Sequence, residues 1–333
     1  MEGPQERLAP HLLGLINPGL VIAGNLIGGP AGIMGALWML GVGPVLDVVL
    51  GERRSDTRPA ASGRGFHALL VLHALLHLTG IVTLLMLAAT GNAGPWLWAA
   101  VLSTGVGAGV GGVIVAHELG HMRPRSPSWW LARLNMVSVL YGHFTEEHNV
   151  THHKHVATDK DPASASEGES VWGFVARTVP RQFVDAWRLH ARRQRAWFRN
   201  PVLLALVVQG ALIAAVFSCS NAAGWAFLGQ AGVAIFLLEY INYVQHYGLR
   251  RADGERQSMM HSWQSECRWS CWTLLNLSLH PSHHLKASLG YWEATAHEGA
   301  PRMPSGYYGC FWPALMPPVW KRMLRARIRA LDA

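Results

Sequence analysis

Long apolar runs alternate with polar segments along this chain. Residues 12–28, 33–50, 67–89, 96–116, 201–218 and 225–246 are predominantly apolar and contain no Lys or Arg. Each is close to the ~20 residues that a helix needs to cross a bilayer. The pattern predicts an all-α polytopic membrane protein of about six transmembrane helices, arranged as one domain over residues 1–333. Short turns rich in Gly, Pro and Asn separate the paired runs: Gly28 to Gly32, Gly91 to Pro95 and Cys219 to Gly224. Gly and Pro also interrupt the first two runs, which are therefore either two full spans or a re-entrant hairpin. Two long polar regions, 117–200 and 247–333, remain. The first holds a semi-apolar piece, Trp129 to Tyr141, expected as a helix lying against the membrane or the metal core.

Charge refines this picture. The 333 residues are half apolar, only 14% charged, and carry a net charge of +8. A basic balance can signal nucleic acid, but here the basic residues flank apolar runs, as membrane topology requires. No nucleic-acid partner is expected. The turns 28–32, 90–95 and 219–224 contain none of the 28 Lys and Arg residues. By the positive-inside rule, both termini and both large polar regions face the cytoplasm of a bacterial-type inner membrane. The run Arg188, Arg192, Arg193, Arg195 and Arg199 reads as a solvated or lipid-headgroup face. The segment Met1 to Pro10 lacks the pattern of a cleavable signal. The four cysteines include Cys267 and Cys271, whose spacing is not that of a metal knuckle, and no second pair matches it.

Histidine supplies the chemistry. His117-Glu-Leu-Gly-His121 and His148-Asn-Val-Thr-His152-His153 put five imidazoles within 37 residues at helical spacings. His117 with His121, and His148 with His152, are i and i+4, so each pair shares a helix face. His153 sits about 100° further round. A third cluster is His280-Pro-Ser-His283-His284, and His246 ends the sixth run. These nine imidazoles exceed the needs of one metal and suit two, with four or five each. A nitrogen-rich site of this kind holds iron with coordination positions open to oxygen. The first cluster also matches the zinc-protease pattern, with Glu118 as general base. Catalytic zinc needs only three protein ligands, and that reading leaves the other clusters without a purpose.

The strings HELGH, HNVTHH followed by VATDKDPAS, NYVQHYGL, HSW and HPSHH resemble the integral-membrane alkane monooxygenases. That family belongs to the fatty-acid-desaturase-like membrane di-iron superfamily, with xylene monooxygenase as a near relative. The similarity extends to Pro44-Val-Leu-Asp47, Pro304 to Gly309 and Met316 to Trp320, covering about residues 30 to 325. The resemblance implies a cytoplasmic helical cap with a non-haem di-iron centre that uses O2 to hydroxylate a terminal methyl group. It implies His117, His121, His148, His152, His153, His246, His280, His283 and His284 as the ligands of two iron ions. It also implies a separate rubredoxin or ferredoxin, with its reductase, as electron donor. The chain departs from the alkane branch at Leu279, at Pro281-Ser282 where an Asp would end the pair, and at Glu266-Cys267-Arg268. Asn149-Val150-Thr151 leans towards the xylene branch.

Glu118, His143, Asp161, Glu239, Asn242 and His261 lie in or beside these motifs and are expected to orient ligands or their neighbours. His73 and His77 lie deep in the third run, where hydrogen bonding within the bundle is the expected role. Trp38, Met39 and residues 69–84 are candidate walls of a substrate channel. Three other functions fit parts of the pattern: an alkyl-aromatic methyl hydroxylase, an acyl-chain desaturase and a His-rich metal transporter. The transporter predicts metal-binding residues at mid-membrane depth, whereas the nine histidines lie at or beyond the run ends.

Overall fold

A computed structural model describes residues 3–91, 93–193 and 196–331. Asn92 of the second turn and Arg195 of the arginine run lie outside the described residues. In chain order, the first helices are α1 (Leu8–Ile27), α2 (Gly29–Val49), α3 (Arg64–Ala89) and α4 (Trp96–Gly120). Next come α5 (Pro127–Ser138), α6 (residues 144–155) and α7 (Val171–Arg193). Then follow α8 (Pro201–Cys219) and α9 (Asn221–His246). Four shorter helices close the chain: α10 (Arg268–Thr273), α11 (His280–Leu285), α12 (Tyr307–Leu315) and α13 (Pro317–Arg329). Among the described residues there is no strand beyond isolated bridges. Six helices, α1 to α4, α8 and α9, are long and apolar enough to cross a membrane. The chain is a multi-pass, all-helical membrane protein.

The six expected runs all became helices, with ends displaced by up to four residues. Capping explains the shifted start of α9 and the unshifted start of α8. The Ser220 hydroxyl accepts from Ala223 N, so α9 begins at Asn221, and the Asn200 side chain accepts from Val202 N at the start of α8. α1 and α2 hold 20 and 21 residues, enough at ~1.5 Å per residue for a ~30 Å core. They meet at Gly28 and Gly29, whose φ of 74° and 56° are left-handed and favour glycine.

α4 lies at the centre of the bundle, with 83% of its apolar window buried, while α8 is peripheral at 22%. Buried polar ties hold the core. The Asn25 amide donates to Gly80 O at 3.1 Å, Thr83 Oγ1 at 3.2 Å and Thr104 Oγ1 at 3.2 Å. This one side chain joins α1 to α3 and α4. His77 in α3 bonds Ser138 Oγ of α5 at 2.8 Å, as expected for a bundle histidine. A Cβ at Gly112 would lie 2.8 Å from His77 Nε2, so α4 needs glycine there. His73 is fully buried.

The semi-apolar piece is a helix, α5, but it packs on α3 and α4 of the bundle rather than on the histidine cluster. Its inner face buries Ala132, Asn135, Met136 and Ser138, and Asn135 Nδ2 donates to Gly111 O at 3.4 Å. Its outer face leaves Trp130 and Leu134 more than half exposed. Three wide π turns interrupt the helices, at Leu37–Val42, Gly109–Ile114 and His148–His152. The last two flank the histidines.

Candidate metal centre

Four elements deliver the nine histidines to one place at one end of the bundle. α4 carries His117 and leads directly to His121, α6 carries His148, His152 and His153, α9 ends on His246, and α11 carries His280, His283 and His284. The rings interlock: His152 and His246 have centroids 5.0 Å apart, His246 and His280 5.1 Å, and His117 and His283 4.3 Å.

The nitrogens fall into two groups, and within each the atoms lie within 4.8 Å of one another. One group is His117, His121, His148, His153 and His283; the other is His152, His246, His280 and His284. The division differs from the simple helical phase. His148 and His152 share a face in an α-helix, but the turn here is a π turn in which His153 N reaches back to His148 O. The wider turn brings residues i and i+5 together. His148 Nε2 and His153 Nε2 lie 3.1 Å apart, and His152 turns to the other group. In α11, the i and i+4 residues His280 and His284 stay together at 2.9 Å, while His283 crosses to the first group.

The donor set itself fits a bound cation. His117, His283, His153 and His148 form a chain of Nε2 contacts at 3.0, 3.1 and 3.1 Å. A neutral imidazole has one N–H and one lone pair, so at most two of these three contacts can be hydrogen bonds. Cations replacing those protons satisfy every nitrogen. In the second group, His152 and His246 engage Nδ1 outward and leave Nε2 buried without a partner. Burial, followed by neighbouring imidazoles, holds His148, His280, His283 and His284 well below the ordinary imidazole range. The same causes bring His121 to about 3. These rings are neutral at physiological pH, with lone pairs available to a metal.

Outer residues set the tautomers. Asp161 is buried, and its Oδ2 accepts from His152 Nδ1 at 3.0 Å and from Ser164 Oγ at 2.6 Å. His246 Nδ1 donates to the carbonyl of His261 at 3.0 Å. The His261 contact therefore comes from its backbone, while its ring caps Ser258 N at 3.0 Å. Glu118 stands 3.7 Å from His117 Nδ1 and accepts from Tyr291 N at 3.1 Å. Three expectations need correction. Glu239 bonds no ligand ring; it accepts from Tyr141 Oη at 2.9 Å and from Gln182 Nε2 at 2.8 Å. Asn242 donates to that same carboxylate at 3.1 Å and lines the cavity wall. His143 packs on Tyr141 and Phe183 and bonds none of the nine rings, because it precedes α6 and points away from them.

An apolar cavity of about 50 Å³ leads towards the histidines, with Met39, Val106, Leu237, Tyr240 and Phe311 among its walls. Gly109, Ile114 and Ile241 border both this cavity and a second space reaching His117, His148 and His280. The walls come from α2, α4, α9 and α12. Met39 is among them and also borders a smaller side cavity, beside which Trp38 lies edge-on to Trp269. Residues 69–84 pack instead as bundle core, burying Leu69, Leu70, Ala74 and Leu84.

Comparison with known proteins matches this architecture. The fatty acid desaturase family model covers residues 93–314. Alkane 1-monooxygenase 1 of Pseudomonas aeruginosa is 35% identical, over 89% of this chain and 82% of the relative. Alkane 1-monooxygenase of Pseudomonas putida is 31% identical, over 89% and 78%. The chain belongs to the alkane 1-monooxygenase family. A more distant relative is the xylene/toluene monooxygenase hydroxylase component of Pseudomonas putida, 27% identical over 70% of this chain and 64% of the relative. The chain is accordingly an oxidoreductase of the monooxygenase class.

The positions that depart from the family strings have local roles. Leu279 is core, and Ser282 Oγ accepts from Thr295 N at 3.3 Å without touching a ligand ring. Glu266 pairs with Arg302 at 2.7 Å. Two buried carboxylates were not singled out from the sequence. Asp47 accepts from Ser270 N and Gly309 N, both at 3.0 Å, tying α2 to α10 and α12. Glu147 is 1% exposed, and its Oε1 has no partner. Burial, then the nearby Asp161, Glu239 and Asp185 carboxylates, raise it well above the ordinary carboxylate range. All four cysteines are free thiols.

Proposed function

We propose that this chain is an O2-dependent, non-haem di-iron monooxygenase that hydroxylates a terminal methyl group of an apolar, alkane-like substrate. The observation that carries the reading is that a space lined by histidines of both nitrogen-only groups adjoins an apolar cavity. The nine histidines would hold two iron ions, one in each group. Bound iron supplies the oxygen activation that no acid–base side chain provides. The chain's own residues do the rest. Burial keeps His121, His148, His280, His283 and His284 neutral, Asp161 and the His261 carbonyl hold His152 and His246 in the tautomer that offers Nε2, and the apolar walls exclude water. Ile114 and Ile241 admit the substrate end on to the histidines.

Hydroxylation consumes O2, two electrons and two protons, and releases the alcohol and water. The electrons come from a separate carrier, a rubredoxin or ferredoxin with its reductase, docking on the cytoplasmic face. The positive-inside pattern supports that orientation in an inner membrane.

The test is a whole-cell panel of n-alkanes, toluene or xylene, and fatty acids, together with metal analysis of the purified protein. Primary alcohols from n-alkanes and about two irons per chain are expected. Two zinc ions and no iron would end the oxygenase reading, and alkenes in place of alcohols would assign a desaturase. Benzylic alcohols alone would assign the xylene-type substrate, to which Asn149-Val150-Thr151 and the 27% identical relative also point.

A further inference from the structure

α5 and α8 enclose a crevice on the outside of the bundle, about 510 Å³ in volume and open to the surroundings. Trp130, Leu134 and Val137 form one wall, and Leu204, Ala205 and Val208 the other. Arg125 stands at its mouth. None of these residues borders the cavity that leads to the histidines. The crevice is therefore separate from the proposed substrate route.

Its depth has a direction. Arg125 follows His121 by four residues and so marks the histidine end of the bundle. The other end of α5 reaches the interior, where Ser138 bonds His77 of α3 at 2.8 Å and its carbonyl accepts from Gln230 of α9 at 3.1 Å. Pro201, Leu204 and Val208 descend α8 over the same interval. At ~1.5 Å per residue the 12 residues of α5 cover ~18 Å, close to half of a ~30 Å hydrocarbon core. The crevice is thus polar at the surface and, apart from the Arg133–Glu146 ion pair in its lining, apolar below. In a bilayer such a space is filled by hydrocarbon.

The charge at the mouth distinguishes the headgroup. Arg133 is paired with Glu146, lies 4.0 Å over Trp129, and shares its carboxylate partner with His190 at 2.8 Å. Arg125 is exposed and makes no ion pair among the described residues. One uncompensated guanidinium beside Trp129 and Trp130, above an apolar slot, complements a phosphate headgroup with a net negative charge.

We propose that this crevice is a binding site for one anionic phospholipid, its headgroup at Arg125 and one acyl chain lying between α5 and α8. The lipid completes the wall that α8, the least buried span, leaves open.

The full chain, reconstituted in nanodiscs of phosphatidylcholine with and without phosphatidylglycerol and then extracted in mild detergent, tests this by quantifying the retained lipid. The wild type is expected to retain phosphatidylglycerol in preference to phosphatidylcholine. Arg125→Ala should lower that preference about five-fold, the usual share of one surface cation. Ala205→Trp fills the slot and should abolish retention of either lipid. Unchanged iron content in both variants reports that they fold, and the Arg125→Ala comparison stands even if Ala205→Trp misfolds. Equal retention of the two lipids by the wild type would overturn the proposal. So would an undiminished preference in Arg125→Ala, or displacement of the lipid by an n-alkane.

Discussion

Asp161→Asn tests how the second histidine group is held. In the wild type, Asp161 Oδ2 accepts from His152 Nδ1 at 3.0 Å and Ser164 Oγ at 2.6 Å, while Oδ1 accepts from Ala163 N at 3.0 Å. Every neighbour of this carboxylate is a donor. An amide in its place has one oxygen and one NH2 group, so one side must set donor against donor. If the NH2 takes the Oδ2 position, His152 must move its proton to Nε2 and loses the lone pair it directs inward. If the NH2 takes the Oδ1 position, it opposes the buried Ala163 N–H, and the loop that presents the carboxylate shifts. Losing such an outer partner typically lowers metal affinity 10–100-fold, or ~1.4–2.7 kcal/mol. The loss should fall on the group His152, His246, His280 and His284, because no ring of the other group touches Asp161. The assay is dialysis of purified protein against graded chelator, with iron measured by emission spectrometry. The variant should release about one iron at 10–100-fold less chelator than the wild type and hold the other as before. Release of both irons together, or a wild-type release curve, would refute the reasoning.

Four further outcomes follow from the same geometry. Ile241→Trp narrows the neck that joins the apolar cavity to the histidines; iron content should hold while alkane turnover falls by about a hundred-fold. His77→Asn should keep full iron content and lose about 1 kcal/mol of stability, because its ring bonds Ser138 and no other histidine; iron loss on chelator-free purification would make it a ligand. Asn25→Ala removes three interhelical bonds; at about 0.6 kcal/mol each it should cost about 2 kcal/mol in a detergent melt. Last, the folded-state pKa values of His148, His280, His283 and His284 lie well below the unfolded value of about 6.5. Below that pH the unfolded chain binds more protons, so the metal-free protein is at full stability above about pH 6.5 and loses it on acidification, by at most ~1.4 kcal/mol per pH unit for each ring. A melting temperature that stays flat between about pH 7 and about pH 5 would contradict this.

Those predictions draw unequally on the sequence. The six spans were legible because burial in lipid demands uniform apolarity, a signal that survives without any knowledge of packing. The histidines were legible as a set because spacings of three and four recur in separate segments. Their division between two groups was not, since it turns on the π geometry at His148–His152, where an i and i+5 pair replaces the expected i and i+4 pair. Nothing in the string HNVTHH announces a wider turn. His143 fails for the related reason that proximity in sequence says little about ring direction at the start of a helix.

The acids show where residue type misleads altogether. Glu146 and Glu147 are adjacent, and by composition either could be a solvated acid. Glu146 pairs with Arg133 and His190 near the surface. Glu147 points the other way, and its burial comes from long-range packing that no local pattern encodes. Burial and neighbouring carboxylates push the Glu147 carboxyl up, whereas His152 and Ser164 hold Asp161 below the ordinary range against the same burial. The two acids are shifted in opposite directions, so the chemistry of each is set by its neighbours and hydrogen-bond donors rather than by residue type.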